Sequence, residues 1–312
     1  MPSPERLGGF KVLKDVGRML LVSPDGATDF PSRVVGILAD QKVNLPYVTC
    51  GWDRHAWGLT IVVETGDAVR ASAALEAGLG ERPGLHAGGA ILSIFPHRKN
   101  PEIIRTLFET FQREGVAPDA MASSPSAISL VIDQAMLNRA SSALFGPFTF
   151  SAYRTPADWK LAQKGKEQIY KEVVASYQEK RPKVYGLEYQ DHQVLLQAKL
   201  AKGQMAVLAP LFRRLSSPRL SLAFLTAGPC QGQMQEEIAF CVPVSEEGPC
   251  QQALHDTAPH GDITSFVSAA VFSMNGPHFG DRYGIVNELL RAFDAHHVDL
   301  LALTLYSPKA SG

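Results

Sequence analysis

Cysteine is scarce in this 312-residue sequence: Cys50, Cys230, Cys241 and Cys250, with no C-x-x-C pair among them. That spacing excludes a zinc knuckle and a thioredoxin-like redox site, and leaves reduced thiols in a cytoplasmic protein as the default. Charge of one sign is lacking as well. The 30 Lys and Arg nearly balance 31 Asp and Glu, and a net charge of -1 gives no footprint for nucleic acid or an anionic membrane. No window holds 18 uncharged apolar residues, and no N-terminal run sets a basic head before an apolar stretch. Neither a membrane span nor a signal peptide is therefore expected. There is no Gly-x-Ser-x-Gly elbow and no two-histidine zinc helix. What remains is ordinary globular composition, with 20% charged and 45% hydrophobic residues. The length suits two to four small cores better than one.

What the sequence does have is an apolar stencil used four times. Apolar residues, one of them proline, fall at x, x+1, x+4, x+5 and x+8, then at x+13 after a break. The copies are Phe30, Pro31, Val34, Val35, Leu38 and Val43; Ile103, Ile104, Leu107, Phe108, Phe111 and Val116; Val207, Leu208, Leu211, Phe212, Leu215 and Leu220; and Ile285, Val286, Leu289, Leu290, Phe293 and Val298. The first five positions form one stripe of a helix, and repetition at this scale points to one small unit used several times.

Each stencil helix follows a short strand-like run rich in apolar and β-branched residues: Arg18–Val22, Ala90–Phe95, His192–Ala198 and Phe266–Phe272. A second strand holds x+13, and a third follows in the first three units at Leu59–Val63, Ile128–Ile132 and Ile238–Val242. Second helices fit Asp67–Leu79, Gln134–Leu144 and Glu246–Asp256. Strand, helix, strand, strand, helix, strand is the α+β ferredoxin-like βαββαβ order, an antiparallel sheet with both helices on one face. The divisions expected are 10–88, 89–154, a helical linker at 155–183, 184–264, and an incomplete fourth unit at 265–312. Phe10–Leu13 and Phe148–Tyr153 are left over as strand candidates, and Thr155–Arg181 reads as one polar helix.

One strand pair carries a further likeness. Asp119-Ala120-Met121-Ala122-Ser123-Ser124, followed by Ser126–Val131, resembles the second and third strands of ACT domains in the tandem regulatory region of aspartokinases. Asn44–Thr49 and Asp299–Thr304 match more loosely, and Leu220–Thr226 in apolar pattern only. The resemblance implies binding of a small effector, commonly an amino acid, where two ACT units meet. The Lys-Phe-Gly-Gly segment with which the catalytic domain of that family opens has no counterpart here, since Gly8-Gly9 and Gly88-Gly89 lack the lysine. Kinase activity is therefore not carried over, and no cofactor or metal is expected.

In that geometry a strand–helix loop offers free N–H groups to a carboxylate, and the facing unit takes the ammonium. The candidate positions are Ser23, Asp25, Gly26, Thr28, Asp29 and Thr49 in unit one. They are Asn100, Asp119, Ser123 and Ser124 in unit two, and Asn275, Gly276 and Asp281 in unit four. All are also ordinary turn and cap residues. The expected function is a non-catalytic, allosteric regulatory protein binding an amino acid. The alternative is an interaction subunit of an amino-acid biosynthetic enzyme with empty pockets. Edge strands suggest a homodimer. His255, Asp256, His260 and Asp262 read as a solvated connector rather than a metal site or an enzyme centre. Trp52 and Trp57 read as an exposed aromatic pair at a hairpin, and Pro229-Cys230 and Pro249-Cys250 as loops.

Overall fold

The computed structural model describes residues 4–23, 27–52, 55–96, 99–124, 126–162, 184–201, 208–215, 220–230, 235–276 and 282–306. A short strand β1 (Glu5–Leu7) opens the chain. Unit one runs β2 (Gly9–Val22), α1 (Phe30–Asp40), β3 (Tyr47–Trp52), β4 (Trp57–Glu64), α2 (Thr65–Leu79) and the first half of β5 (Gly84–Phe95). Unit two continues from β5 into α3 (Pro101–Arg113), β6 (Ala120–Ser123), β7 (Ile128–Asp133) and, after a 3-10 turn, α4 (Leu137–Ala143). Strand β8 (Phe148–Phe150) pairs in parallel with β1, apart from the main sheet. Residues 156–162 are helical (α5), and the rest of the expected linker helix lies outside the described residues. Unit three is β9 (Gly186–Ala201), α6 (Leu208–Leu215), β10 (Phe224–Cys230), β11 (Gln235–Pro243), α7 (Glu247–Thr257) and the start of β12 (Asp262–Asn275). Unit four follows as the end of β12, α8 (Ile285–Ala295) and β13 (Ala302–Tyr306).

The four small sheets are joined into one of eleven strands, ordered β12-β9-β11-β10-β6-β7-β5-β2-β4-β3-β13. Long strands do the joining. Gly9–Leu13 of β2 pair with Ile91–Phe95 in unit two's sheet, whereas Val16–Leu20 pair with Gly84–Gly89 in unit one's. The register slips between Leu13 and Arg18, where Asp15 (φ 55°) and Gly88 (φ 79°) take left-handed backbone. Strands β9 and β12 repeat the device, with breaks between Phe266 and Val271 and positive φ at His192 and Ser268. Extra residues of this kind bend a strand and sharpen its twist.

The bends fold the sheet over on itself. Units one and four form one layer, and units two and three the other. Facing side chains meet as Val16, Tyr47 and Val62 against Ile91, Ala120, Ala122 and Val131, and as Leu195, Ala239 and Cys241 against Ala269 and Val271. Helices cover the outer faces. One outer core is shared by units one and four, the other by units two and three.

The stencil is the buried face of these helices. All five positions are buried in α1 and in α3. In α8, Ile285, Val286 and Leu290 are buried, while Leu289 and Phe293 are partly so. Val207 lies outside the described residues. Burying each large side chain contributes about 1.5–3 kcal/mol. The x+13 residues Val43, Val116 and Leu220 are 0%, 4% and 6% exposed, but Val298 is 50% exposed. Among the described residues unit four has no third strand and no second helix to cover it.

Candidate functional site

Units meet in pairs, edge strand to edge strand and helix to helix. Between units one and four, Tyr47–Gly51 of β3 pair with Ala302–Tyr306 of β13. Above them α1 and α8 run in opposite directions. Ser32 Oγ at the start of α1 donates to Asp294 Oδ2 at the end of α8 (2.7 Å). At the other end the Cβ direction of Gly284 meets Ala39 at 4.0 Å. Units two and three use β6 and β10, with Ala122 opposite Thr226, and pack α3 on α6.

A cavity of about 10 Å³ lies between α1 and α8. Its floor is apolar, from Val35, Val43, Leu45 and Leu305, and its rim carries Arg282 and Asn287. Gly284 caps α8 in the left-handed region (φ 85°), with no side-chain hydrogen bond of its own to the first helical turn. The first N–H groups of a helix have no partner within it, and the end of the dipole adds partial positive charge. Arginine, the N–H groups of a helix start and an apolar floor together can take a small carboxylate with an apolar body.

The sequence-based candidates scatter around this arrangement. Asp25, Gly26 and Asp281 lie outside the described residues. Ser23 is buried, and its Oγ accepts the Ala27 N–H (3.1 Å). Thr28 and Asp29 are exposed at the start of α1, and Asp29 caps it without a side-chain hydrogen bond. Asn100 caps α3, its Oδ1 accepting the Glu102 N–H (2.9 Å), and Ser124 closes a turn with Ala127. Asn275 and Gly276 end β12, exposed and half-buried respectively. Asp119, exposed, stands 3.9 Å from Arg18 across the layers. Thr49 and Ser123 do come together, through Thr304. Thr304 is opposite Thr49 in the sheet and donates its Oγ1 proton to the Ser123 carbonyl (2.9 Å).

No family model and no curated protein matches the chain. Solved structures do. An aspartate kinase from Synechocystis superposes with a TM-score of 0.76 at 18% identity, covering 96% of this chain. The chain has the tandem ACT fold of aspartate kinases. It spans about half, 52%, of that structure's length. The ligand-free regulatory subunit of aspartate kinase from Thermus thermophilus matches 46% of this chain and 99% of its own, with a TM-score of 0.42 and 20% identity.

Charge closes the ACT two–three pair. Glu109 on α3 accepts from Arg213 on α6 and from Arg105 Nη1 (2.5 Å), while Arg105 Nε also holds Glu102 (2.8 Å). Burial pushes the Glu109 carboxyl up, but the hydrogen bonds from Arg213 and Arg105 outweigh it and hold the group below its ordinary 4.5. A depressed carboxylate stabilises the fold above its unfolded pKa and loses that contribution as pH falls through the folded value. The stability advantage of the wild type over Glu109→Gln should therefore be constant near neutrality and shrink below pH 4.5. Paired thermal melts from pH 7 down to pH 3.5 check this, and a gap that widens on acidification would contradict it.

The seam between the two layers is where polar groups gather. Burial pushes the Tyr47 phenol up, against weaker pulls from Thr49 and Arg18, and its hydroxyl has no well-formed hydrogen bond. Gln197 is 3% exposed, and among the described residues neither its amide oxygen nor its amide nitrogen has a hydrogen-bond partner. Leaving such a buried group unpaired costs about 1–3 kcal/mol. Next to it lies a cavity of about 40 Å³ between ACT units one and three, lined by Thr49, Gly51, Gly58, Thr60, Thr226 and Glu237 among others.

Three readings of the sequence need correction. Trp57 is 3% exposed and packs against Trp52 at 5.4 Å between ring centres, so the pair is part of a local core, not an exposed aromatic surface. Pro249-Cys250 lies inside α7 and Pro229-Cys230 at the end of β10, both cysteines buried, because each adds apolar surface to a core. Burial pushes the thiols of Cys50, Cys241 and Cys250 up to about 12, which keeps them protonated and unreactive. Among the described residues no three His, Cys, Asp or Glu side chains are grouped to hold a metal, and no helix is long and apolar enough to cross a membrane.

Proposed function

We propose that this chain is a non-catalytic regulatory protein that binds a small effector, an amino acid, between ACT units one and four. The observation that carries the reading is the start of α8, flanked by Arg282, facing the apolar floor between α1 and α8. The helix end and Arg282 suit a carboxylate, and Val35, Val43 and Leu45 suit an aliphatic side chain. A cavity of about 10 Å³ is near the size of a single water. An amino acid must therefore part the two helices as it enters. Its binding energy then favours one spacing of the ACT pair, which is how an effector becomes a switch.

The test is a thermal-shift screen of the twenty amino acids, with lysine, threonine and methionine first. One of them should raise the melting temperature in a saturable way. Arg282→Ala should weaken that ligand at least about 10-fold, because a hydrogen bond to a charged group is worth roughly 1.5–3 kcal/mol. If no amino acid shifts the wild type, or the variant binds as well, the reading fails.

One observation favours the interaction-subunit alternative. Tyr185, Leu187 and Tyr189 of the β9 region and Phe272 of β12 leave apolar surface bare, at 73%, 62%, 65% and 44% exposure. That reading expects no amino-acid shift and co-purification with a biosynthetic enzyme. Under either reading a homodimer is the assembly proposed, which light scattering of the purified chain would check.

A further inference from the structure

ACT units one and four can be laid over one another residue by residue. Leu20 and Asn275 each stand ten residues before the first stencil position of their unit, Phe30 and Ile285. Gly84 is opposite Leu20 in the sheet, and Gly186 is opposite Asn275. The start of β9 is therefore to unit four what the start of β5 is to unit one, its fourth strand. In unit one the residues ahead of that strand form α2, which ends at Leu79, five residues before Gly84, and buries Ala68, Ala71, Ser72 and Leu75. The same count back from Gly186 covers residues 167–181, and the four buried positions become Tyr170, Val173, Val174 and Tyr177. Most of the residues between them are Glu, Gln, Lys and Arg, so the segment has one apolar stripe. Pro182 stands where Gly80 (φ 84°) ends α2, and proline stops a helix as well.

The sheet of unit four offers the matching face. Tyr189 is opposite Phe272 and Leu187 is opposite Met274, so the four side chains share one face. It is the face of α8, whose Phe293 meets the Phe272 ring edge-on at 6.3 Å. Phe272 corresponds to Gly17, where a Cβ would lie 3.5 Å from Ala68 Cβ of α2. The surface left bare at Leu187, Tyr189 and Phe272 is thus the counterpart of the one that α2 covers in unit one.

We infer that residues 167–181, which lie outside the described residues, are the second helix of ACT unit four, docked on this face through Tyr170, Val173, Val174 and Tyr177. A lone helix of about 15 residues is marginal in water, and it becomes stable where a surface buries its apolar stripe. The chain can reach. Residues 163–166 join Ala162 to Glu167 and span up to about 17 Å. Unit two, whose core holds Trp159 of α5, already touches β9, where Lys99 Nζ donates to Glu188 Oε2 (2.6 Å). Tyr and Val in place of Ala and Ser, over Phe272 in place of Gly17, set this helix further from its sheet than α2 is. The docked segment closes the face to the enzyme partner of the alternative reading, and the effector site between α1 and α8 is not involved.

Two measurements on the full chain test this. In Tyr170→Cys/Phe272→Cys the rings that hold the helix off are gone, and the Cβ atoms can approach to the 3.5 Å seen between Ala68 and the Gly17 position. That spacing suits a disulfide. Mild oxidation should link the two within one chain, read by non-reducing gel and peptide mass, while the native cysteines stay buried. In the wild type, amides of residues 170–180 should exchange at least about 10-fold more slowly than an unstructured chain. Val173→Asp should abolish that protection, whereas Lys171→Ala, at the counterpart of the exposed Val69, should keep it. Exchange at unstructured rates in the wild type would overturn the inference. So would equal protection in Val173→Asp and Lys171→Ala, no disulfide, or a disulfide formed only between two copies.

Discussion

Phe10→Ala should destabilise the protein by about 3–5 kcal/mol, the usual loss for removing a fully buried aromatic ring. Phe10 is 1% exposed and belongs to the core shared by ACT units two and three. Its ring stacks on Trp159 (4.8 Å between centres) and meets Phe150 edge-on (5.1 Å), with Phe145 and Tyr153 close by. The residue lies at the start of unit one's first strand, yet its strand partner is Ile94 of unit two. The damage should therefore appear far along the sequence. Amide hydrogen exchange read by mass spectrometry should accelerate in α3, β7 and α4 before it does in α1 and β3. Acceleration confined to unit one would mean that Gly9–Leu13 do not complete the second unit's sheet. Denaturant titration gives the size of the effect, since the cavity left by the ring lies among other aromatics that cannot collapse to fill it.

Much of this architecture was legible because the helices are one-sided. Val34, Leu38, Ile104, Leu107 and Phe111 are fully or nearly fully buried, as their spacing requires of a face pressed on a sheet. Strand sharing was not legible. It depends on bends at Asp15, His192 and Ser268, and a left-handed non-glycine residue leaves no mark in composition. That Gln197, Glu237 and Thr226 face the seam was not legible for a related reason. On an alternating strand a polar position reads as solvent-facing, and only the folding-over of the sheet turns that face inward. Arg282 is not legible as a site residue in a loop whose turn-forming Asn, Gly and Asp dominate the pattern. Asn100 and Ser124 carry cap and turn chemistry, each side chain hydrogen-bonded within its own loop.

Leu38→Ala and Leu107→Ala test whether stability is organised by pairs of ACT units or by single ones. Each residue is 0% exposed, and each substitution should cost about 2–5 kcal/mol. Leu38 lies in the core of units one and four, Leu107 in that of units two and three, with both sheet layers between them. Side chains with no shared neighbours act independently, so the double variant should equal the sum of the singles to within about 0.5 kcal/mol. Leu107 and Phe212 are the contrasting pair. They belong to different units but to one core, closed by the packing of α3 on α6. Loss of one side chain lets the other relax into the space, so Leu107→Ala with Phe212→Ala should depart from additivity by more than that margin. The reverse pattern, coupling between Leu38 and Leu107 and independence of Leu107 and Phe212, would place the cooperative boundary around each unit separately. Helix pairing across units would then contribute little to stability, and a ligand parting α1 from α8 would have little structure to act on.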